Sequence, residues 1–389
     1  MRMTLGEACH FYSGTGFPEM YQGVPDGEFP FFKVGDISAN VSEGNTYLER
    51  CSNYISADVV TAIHGTIIPP DTVVFAKIGE ALKKNRRAIT TRESLVDNNA
   101  MGIAPRKELL RIRYFYYFMC RLQMERFAEA TAVPSVRKSR LEQICLDVPS
   151  FEKQMYIENV LDAVSSVIKI RQRQLRVLDT LIKARFVEMF GDPIVRLERG
   201  ETIQLDRIAD KITVGFVGEA SNDYSEDGIP YLRTQNVRVN RIDLDGLIYV
   251  NESFHNHNKK SIIHPGDVVV SRVGANRGMA AVIPESLPEA NIANCLIVGQ
   301  TKSVNPYYLA FYLNMSFGKR PQFGASVGSA QGVINTAILK KWEVFVPNMQ
   351  QQSEFNDFAR QVDKSKVVVQ KALDEAQLLF DSLMQKYFG

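Results

Sequence analysis

The sequence predicts an α+β protein: two tandem mixed α/β domains, each followed by a long helix, with the two helices packing as an antiparallel coiled coil. Three observations carry that expectation. Phe151 to Gly191 and Asn348 to Gly389 contain no interior proline or glycine, and their apolar residues recur at helical spacing. The two segments also match at a constant offset of 198 positions: Val148-Pro149 falls on Val346-Pro347, Gln154 on Gln352, Leu175 on Leu373, and Phe190-Gly191 on Phe388-Gly389. Between them lie short β-like phrases that occur twice in the same order. A chain repeated at so long a period is two copies of one folded unit.

Each element has its own reason. In the first helix Leu161, Ile168, Leu175, Ile182 and Met189 occupy one heptad position, and Val164, Arg171, Leu178 and Arg185 the other. The seam is apolar apart from two arginines. About 40 residues at ~1.5 Å each make a rod of roughly 60 Å, which cannot bury such a stripe alone. The second helix supplies the complement, with Phe355, Val362, Val369, Ala376 and Leu383 on one position and Leu373, Phe380 and Tyr387 on the other. The expected boundaries are 1–150 and 192–347 for the domains, and 151–191 and 348–389 for the helices.

Within the first domain, a Gly/Pro-rich stretch over 13–30 reads as a loop or hairpin. PFFKVGDI (30–37) and DTVVFAKIG (71–79) read as short buried strands. Leu109 to Phe127 reads as an aromatic-rich helix, and Leu141 to Val148 as a closing strand. The second domain replays this order. Pro230 to Val237 matches Pro30 to Ile37, Gly266 to Gly274 matches Asp71 to Gly79, and Pro306 to Leu313 stands where the aromatic helix stood. The strand phrases keep their character while the loops between them differ, as expected of two modules doing one kind of job on two targets.

Composition narrows the class. At 389 residues with 45% hydrophobic content the chain can build two real cores, and a net charge of +2 favours no partner by itself. Five cysteines without a CxxC pair fit a reducing compartment. No apolar run approaches the ~18 residues of a membrane span, so a cytoplasmic chain with no membrane partner is expected.

Catalytic signatures are missing. No GxxxxGK[ST] phosphate loop occurs, and Gly14-Thr-Gly16 is a lone GxG in a loop. Pro70-Asp71 followed by Glu80 and Lys83 superficially resembles a metal-dependent nuclease core, but Gly266 stands where Asp71 would repeat. His255, His257 and His264 lie on a polar stretch without clustered cysteine, so no metal is expected there. What remains is basic and amide side chains beside the repeated strands: Lys77, Lys83, Lys84, Asn85, Arg86 and Arg87, with Arg137 and Lys138 beyond them. The second domain offers Arg272, Asn276 and Arg277, then Lys319, Arg320, Gln322 and Gln331. Arginine, asparagine and glutamine read base edges, and lysine neutralises phosphates. Recurrence at equivalent places in both halves makes a nucleic acid the expected partner.

With those residues in view, the chain resembles the specificity (S) subunit of type I restriction–modification enzymes. The resemblance covers nearly the whole chain. It rests on the tandem layout, the phrases IPYLRTQNV and PGDVVVSRVG, the Val-Pro-x(4)-Gln start of each long helix, and the FGDP and YFG ends. It implies target-recognition domains at 1–150 and 192–347, each reading half of a split site in double-stranded DNA, with the long helices as spacers. It also implies no catalysis and no cofactor in this chain. S-adenosylmethionine would serve two modification (methyltransferase) subunits, and ATP and Mg would serve restriction subunits. The competing reading is a two-lobed coiled-coil adaptor that organises proteins and binds no DNA.

Overall fold

The computed structural model describes residues 1–129, 133–299, 301, 303–316 and 332–389. The chain divides into two compact units. The first comprises Met1–Arg173 and Val369–Gly389, and the second Gln174–Val368. Both dividing lines fall inside the long helices, which span Phe151–Phe190 and Met349–Phe388.

In the first unit five strands lie in the order Cys9–Ser13, Ala100–Pro105, Val73–Ala76, Arg87–Thr90, Tyr47–Leu48. The inner strands are buried along their whole length, so they read as continuous apolar runs. A second sheet orders Tyr54–Ile55, Phe29–Phe32 and Leu95–Val96, the last pair parallel. Arg2–Thr4 pairs with Cys145–Asp147, bringing the two ends of the domain together just before the long helix. Thr4 and Glu7 form a capping box there, each side chain holding the other's amide.

The second unit repeats this plan. Ile212–Val214, Cys295–Val298, Val268–Ser271 and Ala280–Val282 form a sheet in the order of the first four strands above. Ile229–Leu232 again runs parallel to a neighbour, Ala290–Ile292, and Ile203–Gln204 pairs with Glu343–Val344.

Local details depart from the sequence reading in instructive ways. The phrase over 30–37 is a strand only as far as Phe32. The Asp36 carboxylate accepts from the Lys33 amide at 2.8 Å, and a helix Val34–Ser42 starts there. The aromatic helix is Ile112–Arg121, followed by a separate 3₁₀ turn, Met124–Phe127. Lys138–Glu142 is helical before the closing strand begins at Cys145.

One device fastens the long helix to its domain in both units. Gln154 is fully buried, its Oε1 accepting from Arg111 N at 2.8 Å while Nε2 donates to Leu109 O and Pro149 O, both at 2.9 Å. Gln352, equally buried, accepts from Asn305 N at 2.7 Å and donates to Ser303 O at 3.2 Å and Pro347 O at 2.8 Å. Two loops and the helix start are thereby tied by one side chain. The aromatic helix adds a second tie, Tyr114 Oη to Asp147 O and Tyr308 Oη to Phe345 O.

Along the helices the seam is the buried side. Leu161, Ile182 and Val362 are buried, and Val164, Ile168, Leu175, Leu178, Val369, Leu373, Phe380 and Leu383 are half-buried. In the second unit Asp179 pairs with Lys366 at 2.7 Å, Arg185 lies over the Phe358 ring, and Phe186 packs edge-on to Phe355. Numbering rises along one helix as it falls along the other, so these segments run antiparallel. In the first unit Ile157 and Leu161 join a core with Met384, bordered by Phe380, Leu383 and Phe388. Phe190 closes the first helix, and Gly191 at φ 78° lets the chain turn into Pro193–Glu198.

Candidate nucleic-acid interface

The residues proposed from sequence separate into three groups. Some are built into the fold. Arg87 is only 2% exposed, in a strand whose side chains face the core. Its Nη2 donates to Asn85 Oδ1 and Leu122 O at 2.8 and 2.9 Å, and its guanidinium lies over the Phe75 ring. Burial pushes that guanidinium down to about 10. Asn85 takes a left-handed conformation at φ 54°, and its Oδ1 also accepts from Met124 N. Asn276 holds two carbonyls, Thr234 O and Val237 O, from one amide nitrogen. These three side chains fix loops.

A second group is exposed or half-buried, and all but Lys84 are engaged. Lys83 pairs with Glu80, Arg137 with Glu129, and Lys138 with Glu142. Arg86 donates to Ser38 O and Arg277 to Gly332 O. Lys84 stands exposed at the end of the short Glu80–Lys83 helix. Lys319, Arg320, Gln322 and Gln331 lie outside the described residues.

The third group, Lys77 and Arg272, sits at matching points of the repeated sheet. The register pairs Ala76 with Ala100 in one unit and Ser271 with Cys295 in the other. One residue further, Lys77 N donates to Asn99 O at 2.8 Å, and Arg272 N to Asn294 O at 3.3 Å. Their own carbonyls accept from Val136 N and Ile334 N. The same turn is flanked on its other side by the parallel strand. Asp97 N donates to Phe32 O, and Ala293 N to Leu232 O, so Lys33 and Arg233 follow at once. A third segment closes over the turn at a glycine: an added Cβ would lie 1.8 Å from Asp97 O at Gly14 and 2.3 Å from Ile292 O at Gly215. Lys33 and Arg233 were missed in the sequence as candidates. Their signal was present, a basic residue at the fourth position of each of two phrases already aligned at an offset of 200.

No group of three or more His, Cys, Asp or Glu suited to a metal occurs among the described residues. His255 and His264 both meet Glu289, at 3.0 and 3.2 Å, while His257 turns back to Ser253. The acidic pair of the nuclease-like stretch is dispersed, Asp71 on Lys107 and Glu80 on Lys83. Cys9 and Cys295 are buried, and burial pushes the Cys9 thiol up to about 12. No helix among the described residues is long and apolar enough to cross a membrane.

The profile of the type I restriction modification DNA specificity domain matches the chain twice, over residues 1–179 and 198–376. The chain belongs to this family. A type I restriction enzyme specificity subunit from Methanocaldococcus jannaschii is 20% identical over 252 residues, 60% of this chain and 59% of that protein. The match thus spans less than two thirds of the curated relative. Among solved structures, the type I restriction–modification S subunit from M. genitalium covers all of the chain and 96% of its own, at 14% identity and TM-score 0.56. A chain from a study of type I restriction–modification complex assembly and conformational transition does so at 17% identity and TM-score 0.55, with 97% of its own length covered. At these identities the structures establish the shared fold: tandem α/β domains with long helices.

Proposed function

We propose that the chain is the specificity subunit of a type I restriction–modification complex. It reads a bipartite site in double-stranded DNA, one half per domain, and holds two modification subunits on its helices. The double match to the DNA specificity domain, on two units with one scaffold and different loops, is the observation that carries this reading. The chain itself is non-catalytic. S-adenosylmethionine belongs to the modification subunits, ATP and Mg to restriction subunits, and the assembly works in the cytoplasm.

The long helices offer surface for those subunits beyond their seam. Ile170, Val177 and Leu181 on the first, and Val367, Val368 and Leu378 on the second, are exposed apolar side chains of the kind a partner covers. The test is duplex binding as salt is raised. A DNA reader that neutralises several phosphates loses about 10³-fold or more in affinity between roughly 50 and 200 mM salt. A flat response, or no duplex binding by the assembled complex, would leave the protein adaptor as the better account.

A further inference from the structure

We infer that each unit carries an equivalent phosphate-binding cation pair, Lys33 with Lys77 in the first and Arg233 with Arg272 in the second, and that these pairs set the register of the DNA. The inference rests on the reading of the chain as a DNA-binding subunit. It names which of many basic side chains touch the duplex, and with what chemistry.

Placement is the first argument. In each unit the two residues follow the ends of strands from two sheets, on either side of one short turn, Asp97–Asn99 or Ala293–Asn294, held by the hydrogen bonds described above. The backbone fixes these positions twice, in two domains whose surface loops share little. A scaffold repeated under different loops suits the part of recognition that does not depend on sequence, the sugar–phosphate backbone.

Charge is the second argument. Several other basic side chains near the strands have carboxylate partners, as Lys83, Lys107, Arg137 and Lys138 do. Among the described residues none of Lys33, Lys77, Arg233 and Arg272 forms an ion pair. Lys33 Nζ is bonded to the neutral Gln22 side chain, which leaves its charge uncompensated. The Nε donors of Arg233 and Arg272 are buried and lack a hydrogen-bond partner. The positive charge of a guanidinium without a carboxylate partner is one that a phosphate neutralises.

The two pairs differ in strength. In the first unit the Asp97 carboxylate sits in the turn, accepting from Val34 N at 3.1 Å and Asn99 N at 2.9 Å, whereas Ala293 occupies its place in the second. An acid beside two lysines lowers the local potential; two arginines without one hold phosphate more tightly and with fixed geometry. The second unit therefore anchors the complex.

The test uses the full chain assembled with its modification subunits and a labelled mixed-sequence duplex of about 30 base pairs, with affinity followed over salt. Arg272→Gln and Lys77→Gln should each reduce the salt slope by about one and weaken binding several-fold, Arg272→Gln more, with melting temperature unchanged. Arg272→Lys should restore the slope, and Lys371→Gln, on an exposed stretch of the second long helix, should leave it alone. An unchanged slope in both glutamine variants overturns the inference. So does a changed methylation motif with an unchanged slope, because the residues would then read bases. A flat slope in the unaltered complex instead sinks the DNA-binding reading itself.

Discussion

Replacing Gln154 by alanine removes a side chain that is fully buried and makes three hydrogen bonds, all to main-chain groups. The Arg111 amide then has no acceptor, and Leu109 O and Pro149 O each lose a donor. An orphaned buried group costs about 1–3 kcal/mol, carbonyls toward the lower end. The expected loss is therefore about 3 kcal/mol or more, a large share of the ~5–15 kcal/mol that holds a domain together. Gln154→Leu should lose nearly as much, since it keeps the volume but none of the bonds. Two units do not guarantee a two-state transition, so a residue-resolved assay is needed. Hydrogen exchange at the Arg111 amide serves, because that proton is held by Gln154 alone among the bonds described. Gln154→Ala should strip protection from Arg111 and leave Asn305 protected, and Gln352→Ala should do the reverse. If Arg111 stays protected, or the loss is under about 1 kcal/mol, the clamp is not what ties helix to domain.

Two further expectations follow from the same structure. Arg87→Ala should destabilise the first unit by about 3–5 kcal/mol, because it empties a core site and frees the Leu122 carbonyl. Arg87→Met should cost much less, and neither should alter the salt slope of DNA binding by the folded protein; urea unfolding and binding isotherms check this. Deleting one heptad from each long helix removes ~10 Å of helix. At ~3.4 Å per base pair the non-specific spacer of the methylated site should shorten by about three pairs. An unchanged spacer would refute the role of the helices as a ruler.

Much of the fold was legible because repetition is visible without any structure. The offset shared by Gln154 and Gln352 marked two equivalent glutamines, and the structure shows both buried and bonded in the same way. The heptad seam likewise follows from the spacing of Leu161, Ile168, Leu175 and Ile182, since a helix has only one side for them. The basic run from Lys83 to Arg87 was harder. Charge alone does not tell which face a strand residue takes, and Arg87 turned inward where a carbonyl and an aromatic ring receive it. Lys33 and Arg233 were hidden for the opposite reason. Each stood inside a phrase that looked like one continuous strand, and only the helix start at Val34, or the 3₁₀ turn at Thr234–Asn236, shows that the strand stops just before it.

Methylome sequencing of cells that carry this chain with its modification subunit tests the central claim most directly. The account predicts a split, adenine-methylated motif that appears with the chain and vanishes without it. Exchanging residues 1–150 for those of another family member should change one half of that motif and keep the other. No motif from an assembled complex, or a change in both halves after the exchange, would contradict it.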